Sequence, residues 1–121
     1  MSRVIHFEIP VDDPDRAIAF YKSAFGWRIE KWNGPMDYWM VYTGDDKTPG
    51  INGAIMKRGD VKSTTNTVGV KSLDASLAVV TKAGGTPIMP KTPIPGVGYF
   101  AYCLDPDGNL FGMMEADTSA K

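Results

Sequence analysis

His6 and Glu8 are the pair in this sequence whose types and spacing could do chemistry together. They stand two apart in Val4-Ile5-His6-Phe7-Glu8-Ile9, a run of β-formers that Pro10 ends, so strand alternation puts both on one side. A histidine and a carboxylate so placed can serve as acid and base, or the carboxylate can orient the imidazole. A polar network between sheets or at an interface would use the same two side chains, and both readings stand at this level. Cys103, the lone cysteine, lies in the apolar stretch Tyr99 to Leu104 and reads as a buried small hydrophobe rather than a nucleophile.

The elements that must hold these residues are written twice. Asp15, Ala19, Ala24, Gly26, Ile29 and Gly53 recur as Asp74, Ala78, Ala83, Gly85, Ile88 and Gly112, at a constant offset of 59. In each half a strand leads into a capped helix. Asp13 caps the first, with Pro14 in its first turn and Gly26 at its stop; Ser72 caps the second, which Gly84 and Gly85 end. Three strands then follow in each half: Trp27 to Trp32, Tyr38 to Thr43 and Ile51 to Met56 in the first, Thr86 to Met89, Tyr99 to Leu104 and Leu110 to Glu115 in the second. Asp105-Pro106-Asp107-Gly108 has the residues of a type I turn and makes the last two strands a hairpin. Lys91 to Gly98, with two prolines and two glycines, reads as a fixed edge loop along a pocket rim, with a lid as the alternative.

These signals predict an α+β fold: two tandem βαβββ modules, about 3–57 and about 64–116, forming curved sheets around a concave pocket within one domain spanning 1–121. The formal net charge of -1 and the absence of basic runs argue against nucleic acid and anionic membrane surfaces as partners. No stretch is apolar enough for a signal peptide or a bilayer span, and the lone cysteine points to a reducing, cytoplasmic setting.

The order and spacing of Ile5-His6-Phe7-Glu8-Ile9-Pro10, Asp12-Asp13-Pro14, Ala19-Phe20-Tyr21, Phe25-Gly26-Trp27, Ala83-Gly84-Gly85 and Asp105-Pro106-Asp107-Gly108-Asn109 resemble the vicinal oxygen chelate superfamily. That superfamily contains glyoxalase I, extradiol dioxygenases, fosfomycin resistance enzymes and bleomycin-binding proteins, and the resemblance covers nearly all of the chain. It implies a glyoxalase-like fold and a homodimer. In the metal-dependent members four matched strand positions hold a divalent ion, and these fall on His6, Thr65, Gly53 and Gly112. His6 is the only matching ligand position, because threonine is a poor ligand and glycine has no side chain to offer. Glu115 is out of phase with Gly112 on its strand and does not substitute. No cofactor is therefore expected, and a divalent metal is disfavoured.

Pairing Cys103 with Leu110 across the hairpin would set Ala101 opposite Gly112 and Tyr99 opposite Met114. The repeat then puts Tyr38, Met40 and Tyr42 on the pocket side of the first module, leaving Trp39 and Phe100 toward the helices. The expected pocket is lined by His6, Glu8, Tyr38, Met40, Tyr42, Tyr99 and Met114 and suits a largely apolar or planar small molecule; the same residues would equally serve as plain core or as an inter-subunit seam. The leading function is an uncharacterised glyoxalase- or bleomycin-resistance-like protein that binds a small organic molecule without a catalytic metal. The alternative is a metal-dependent lyase, isomerase or dioxygenase with an altered site using His6. A third reading is a metal-free acid/base enzyme using His6 and Glu8, and whether any reaction is catalysed stays open.

Overall fold

Both helices begin where their caps require. In the computed structural model, which describes residues 2–121, Asp13 is extended at φ -127 and ψ 97, and its carboxylate accepts from the Arg16 N–H at 3.2 Å. Helix α1 (Pro14–Phe25) ends at Gly26, whose φ of 69 is the left-handed conformation that glycine adopts without a Cβ penalty. Helix α2 (Leu73–Lys82) starts from Ser72, whose hydroxyl accepts from the Ala75 N–H at 3.2 Å. A second acceptor comes from far along the chain, for Glu115 Oε1 takes the Leu73 N–H at 2.8 Å. No helix among the described residues is long and apolar enough to cross a membrane.

The chain divides into two compact units, one of residues 6–65 and one of Asn66–Lys121 with the residues up to Ile5. In the first, strands β1 (Arg3–Val11), β2 (Arg28–Lys31), β3 (Tyr38–Tyr42) and β4 (Gly53–Lys57) lie in the order β2-β3-β4-β1. Strand β4 runs parallel to β1 and antiparallel to β3. The fully buried Val41 and Ile55 pack with Ile29, and Phe7, Ile9, Val11, Ile18, Tyr21, Trp27 and Trp39 surround them. All odd-numbered positions of β1, β3 and β4 in this cluster therefore face α1, and the even ones face the other way.

In the second unit, β5 (Thr65–Gly69), β9 (Leu110–Ala116) and β8 (Gly98–Leu104) are neighbours in that order, and both β6 (Thr86–Pro87) and β7 (Thr92–Ile94) pair antiparallel with β8. Its core is Leu73, Ala101, Cys103 and Met113, with Tyr99, Phe111, Val68 and Leu77 against it. Burying Leu73 completely contributes about 2 kcal/mol by area. The expected α+β class and the two helix-bearing halves are present.

Three expectations are corrected. The hairpin pairs Leu104 with Leu110, Cys103 with Phe111, Tyr102 with Gly112 and Phe100 with Met114, one residue away from the expected register. The turn is longer than a bare type I turn because Asp105 gathers the N–H groups of Asp107 and Asn109 and the Asn109 side chain, and the Asp105 N–H donates to the Asn109 carbonyl. One residue of slip exchanges the faces. Tyr99 turns to the helix side, and Phe100 takes the opposite face.

The second correction concerns Gly53, which lies on the α1 side. It sits opposite Phe7 and Val41, and a Cβ there would fall 2.5 Å from both the Phe7 ring and the Phe7 carbonyl oxygen. The third concerns Lys91 to Gly98, which is a hairpin strand rather than a loop. Ile94-Pro95-Gly96-Val97 closes with the Val97 N–H on the Ile94 carbonyl at 2.9 Å, and Gly96 has φ 75, as a type II turn requires. Pro93 is tolerated because β7 is an edge strand.

Candidate functional site

Because Phe7, Ile9 and Val11 fill the first unit's core, His6 and Glu8 must project from the opposite side of β1. Trp39 and Val41 fix β3 in the same way and send Tyr38, Met40 and Tyr42 to that same face. Three of these side chains meet. The Tyr38 hydroxyl donates to Glu8 Oε2 at 3.0 Å, and His6 Nε2 lies 2.7 Å from the same hydroxyl oxygen. The His6 and Tyr38 rings are nearly parallel, 13° apart. Trp32 stands edge-on to Tyr38 at 5.8 Å between centroids, and its backbone N–H reaches the Tyr38 carbonyl at 2.7 Å.

Glu8 is 5% exposed, a carboxyl group buried with a hydroxyl partner. Burial pushes the His6 pKa below its ordinary value, outweighing the nearby Glu8 charge, which pulls the other way. Farther along the face, Met40 lies between Glu30 and Ala54 in the register, and Ala54 lies beside Glu8. The Arg28 guanidinium sits 3.8 Å from the Tyr42 ring centroid and is ion-paired with Glu30.

Tyr99 and Met114 belong to the second unit, on opposite faces of the β8–β9 pair. Tyr99 packs on the core under the Lys91 ammonium, 4.5 Å from its ring, while Met114 shares its face with Phe100, Tyr102 and Gly112. The Phe100 and Tyr102 rings meet edge to face at 4.6 Å. Thr67, on the same side, carries a buried hydroxyl with no hydrogen-bond partner among the described residues. The Trp32 ring beside Tyr38 was not legible in the sequence; nor, in the second unit, was the face taken by Phe100 and Tyr102, for which the signal was the Asn109 side chain that lengthens the turn.

The residues present do not fit the divalent ion that the resemblance implies. Among the described residues no three His, Cys, Asp or Glu side chains gather as metal ligands. His6 Nε2 and Glu8 Oε2 are both turned to Tyr38, the Thr65 hydroxyl donates to the Ser63 carbonyl at 2.9 Å, and Glu115 is used on α2. The fourth-strand places beside Glu8 and Thr67 are Ala54 and Gly112, neither with a donor atom. Two cavities lie apart from His6. One, about 210 Å³, is walled by the β3–β4 loop at Thr43, Asp45 and Asn52; the other, about 340 Å³, by Arg3, Ile5, Lys71 and Met114.

Known proteins are similar to this chain in sequence and in fold. Residues 3–44 match the family described as bleomycin resistance protein-like N-terminal. CFP32 of Mycobacterium bovis and of Mycobacterium tuberculosis, which carries a provisional glyoxylase name, is 30% identical over 110 residues, covering 89% of this chain. The chain spans 42% of the length of these relatives. Among solved structures, a methylmalonyl-CoA epimerase in complex with methylmalonyl-CoA and NH4+ superimposes with a TM-score of 0.72 at 17% identity, covering 100% of this chain and 99% of that one. The methylmalonyl-CoA epimerase of Mycobacterium tuberculosis gives 0.66 at 18%, covering 94% and 87%, and a hypothetical protein of Bacillus halodurans C-125 gives 0.70 at 14%, covering 99% and 98%. At these identities the structures show the glyoxalase-like fold alone. The sheet-and-helix plan, the bleomycin-resistance-like match over residues 3–44 and the glyoxylase-named relative all support the vicinal oxygen chelate superfamily as the one this chain resembles.

Proposed function

We propose that the face of the first unit bearing His6, Glu8, Tyr38, Met40 and Tyr42 binds a small, largely planar organic molecule without a catalytic metal. The observation that carries this reading is the Tyr38 hydroxyl, held 2.7 Å from His6 and 3.0 Å from Glu8. It occupies the nitrogen and the carboxyl oxygen that a metal would need. The tyrosines and the Met40 thioether supply flat and polarisable surface for stacking, and the polar trio supplies orientation.

A second reading is an enzyme acting on a carbonyl or acyl-thioester substrate, with His6 as a ligand of a metal or as a base. Its support is the glyoxylase name of CFP32 and the methylmalonyl-CoA bound to one structural neighbour. Chelator-treated protein titrated calorimetrically with zinc, nickel and manganese separates the two. The binding reading expects no stoichiometric uptake, with thermal stabilisation by aromatic small molecules. Tight uptake at one ion per chain that His6→Ala abolishes would establish the second.

We also propose a homodimer. The aromatic cluster at α1 supports it, since Phe20 and Phe25 are 58% and 62% exposed, Phe25 stacks with Tyr21 and Trp27, and Phe20 meets Tyr21 and Phe25 edge to face. Sedimentation equilibrium of the wild type against Phe20→Glu tests it; a wild-type monomer at micromolar concentration refutes it.

A further inference from the structure

The hydrogen bonds on the site face have a direction, and that direction specifies what the ligand must offer. A tyrosine hydroxyl owns one proton. Tyr38 directs it to Glu8 Oε2, so toward His6, 2.7 Å away, the same oxygen can only accept. The hydrogen of that second bond therefore belongs to His6 Nε2. A neutral imidazole carries one N–H, which leaves Nδ1 with a lone pair. His6 is half-buried, and its hydrogen bond to Tyr38 is its only one among the described residues.

We infer that Tyr38 and Glu8 are positioning residues that hold His6 in its Nε2–H tautomer, making Nδ1 a dedicated acceptor for a planar ligand that donates a hydrogen bond, such as a phenol or an N–H heterocycle. This rests on the binding reading above. The same chain explains why a tyrosine, rather than a phenylalanine of equal area, stands between the two groups. Without its hydroxyl, His6 would lose the hydrogen bond that distinguishes its two ring nitrogens. An acceptor on a half-buried ring also selects among ligands. A planar molecule without a donor would strip water from Nδ1 and return nothing.

His6 is the sole histidine of the chain, so a protein labelled with nitrogen-15 histidine reports on this one ring. Long-range proton–nitrogen spectra of the full chain at about pH 8, above the ordinary histidine range, are expected to show a protonated Nε2 and an unprotonated Nδ1. In Tyr38→Phe the preference should collapse to a mixture. A protonated Nδ1 in the wild type overturns the tautomer assignment without any variant, as does an unchanged spectrum in folded Tyr38→Phe. Phenol and anisole, which share a ring but differ in the O–H, then probe the ligand class. Phenol is expected to shift the Nδ1 resonance and to bind about tenfold more tightly, the worth of one hydrogen bond to an acceptor on a half-buried ring. Equal affinities overturn the requirement for a donor. If neither ring perturbs His6 while the tautomer is as stated, the binding reading falls and takes the ligand class with it.

Discussion

Ala54 holds in the first unit the place that Gly112 holds in the second. Ala54 stands beside Glu8 on the neighbouring parallel strand, and Gly112 stands beside Thr67, the repeat mate of Glu8. The sequence repeat matches Gly112 with Gly53 instead, one position away and on the other face. The two glycines are therefore glycine for different reasons. At Gly53 a Cβ would strike the Phe7 carbonyl oxygen at 2.5 Å, a backbone atom that cannot step aside. At Gly112 it would meet the far end of the Phe100 ring at 2.8 Å, which can rotate away.

Gly53→Ala is accordingly expected to destabilise the fold by about 2–3 kcal/mol, and Gly112→Ala by less, about 1 kcal/mol. Gly59→Ala, where nothing lies within 4 Å, serves as the control and should be neutral or slightly stabilising. Urea midpoints of the three variants give the ranking, and Gly112→Ala costing more than Gly53→Ala would contradict the assignment of faces.

The half-buried His6 makes stability depend on pH. Burial holds its folded pKa below the ordinary histidine value of 6.5, so the unfolded chain takes up a proton first as the pH falls. The unfolded state then binds more protons, and stability drops on acidification from about 6.5 down to the folded pKa, below which this contribution is flat. His6→Gln should remove that slope between about pH 7 and 5. Asp105 and Asp117, whose hydrogen bonds lower their pKa values, lose their contributions only in the more acidic carboxylate range. Thermal midpoints of wild type and His6→Gln that stay parallel from neutral to mildly acidic pH would refute a histidine held neutral by burial.

Glu115 acts as an acceptor for the start of α2 rather than as a ligand. Glu115→Ala leaves the Leu73 N–H without its partner and should cost about 1–2 kcal/mol. Glu115→Gln keeps an acceptor oxygen and should recover at least half of that. Equal losses in both variants, measured by urea unfolding, would mean that the charge rather than the hydrogen bond matters.

Cys103 is fully buried in the second unit's core, and burial raises its thiol pKa. The native protein should resist an aromatic disulfide reagent for many minutes, and should react with one equivalent in strong guanidinium. Rapid reaction of the native protein would place Cys103 at an accessible position instead.

Much of this architecture was written locally. Asp13-Pro14, Gly26 and Ser72 announced both helices, since a cap satisfies free amides within three residues of itself. The alternation of Phe7, Ile9 and Val11 with His6 and Glu8 assigned the faces of β1 by period alone. Tyr38, Met40 and Tyr42, by contrast, were placed through the repeat from a hairpin register one residue off, and it is Trp39 and Val41 in the core that fix their face. Tertiary structure decided what depends on counting across a turn. Asn109 folding onto Asp105 moved the β8–β9 register by one, and that step sent Tyr99 to the core and Phe100 to the open face. Tertiary structure also decided that the Tyr38 hydroxyl would stand between His6 and Glu8, a meeting of residues 30 and 32 positions apart. A period can say which side a residue faces; the reach and direction of a hydrogen bond depend on which strands the chain brings together.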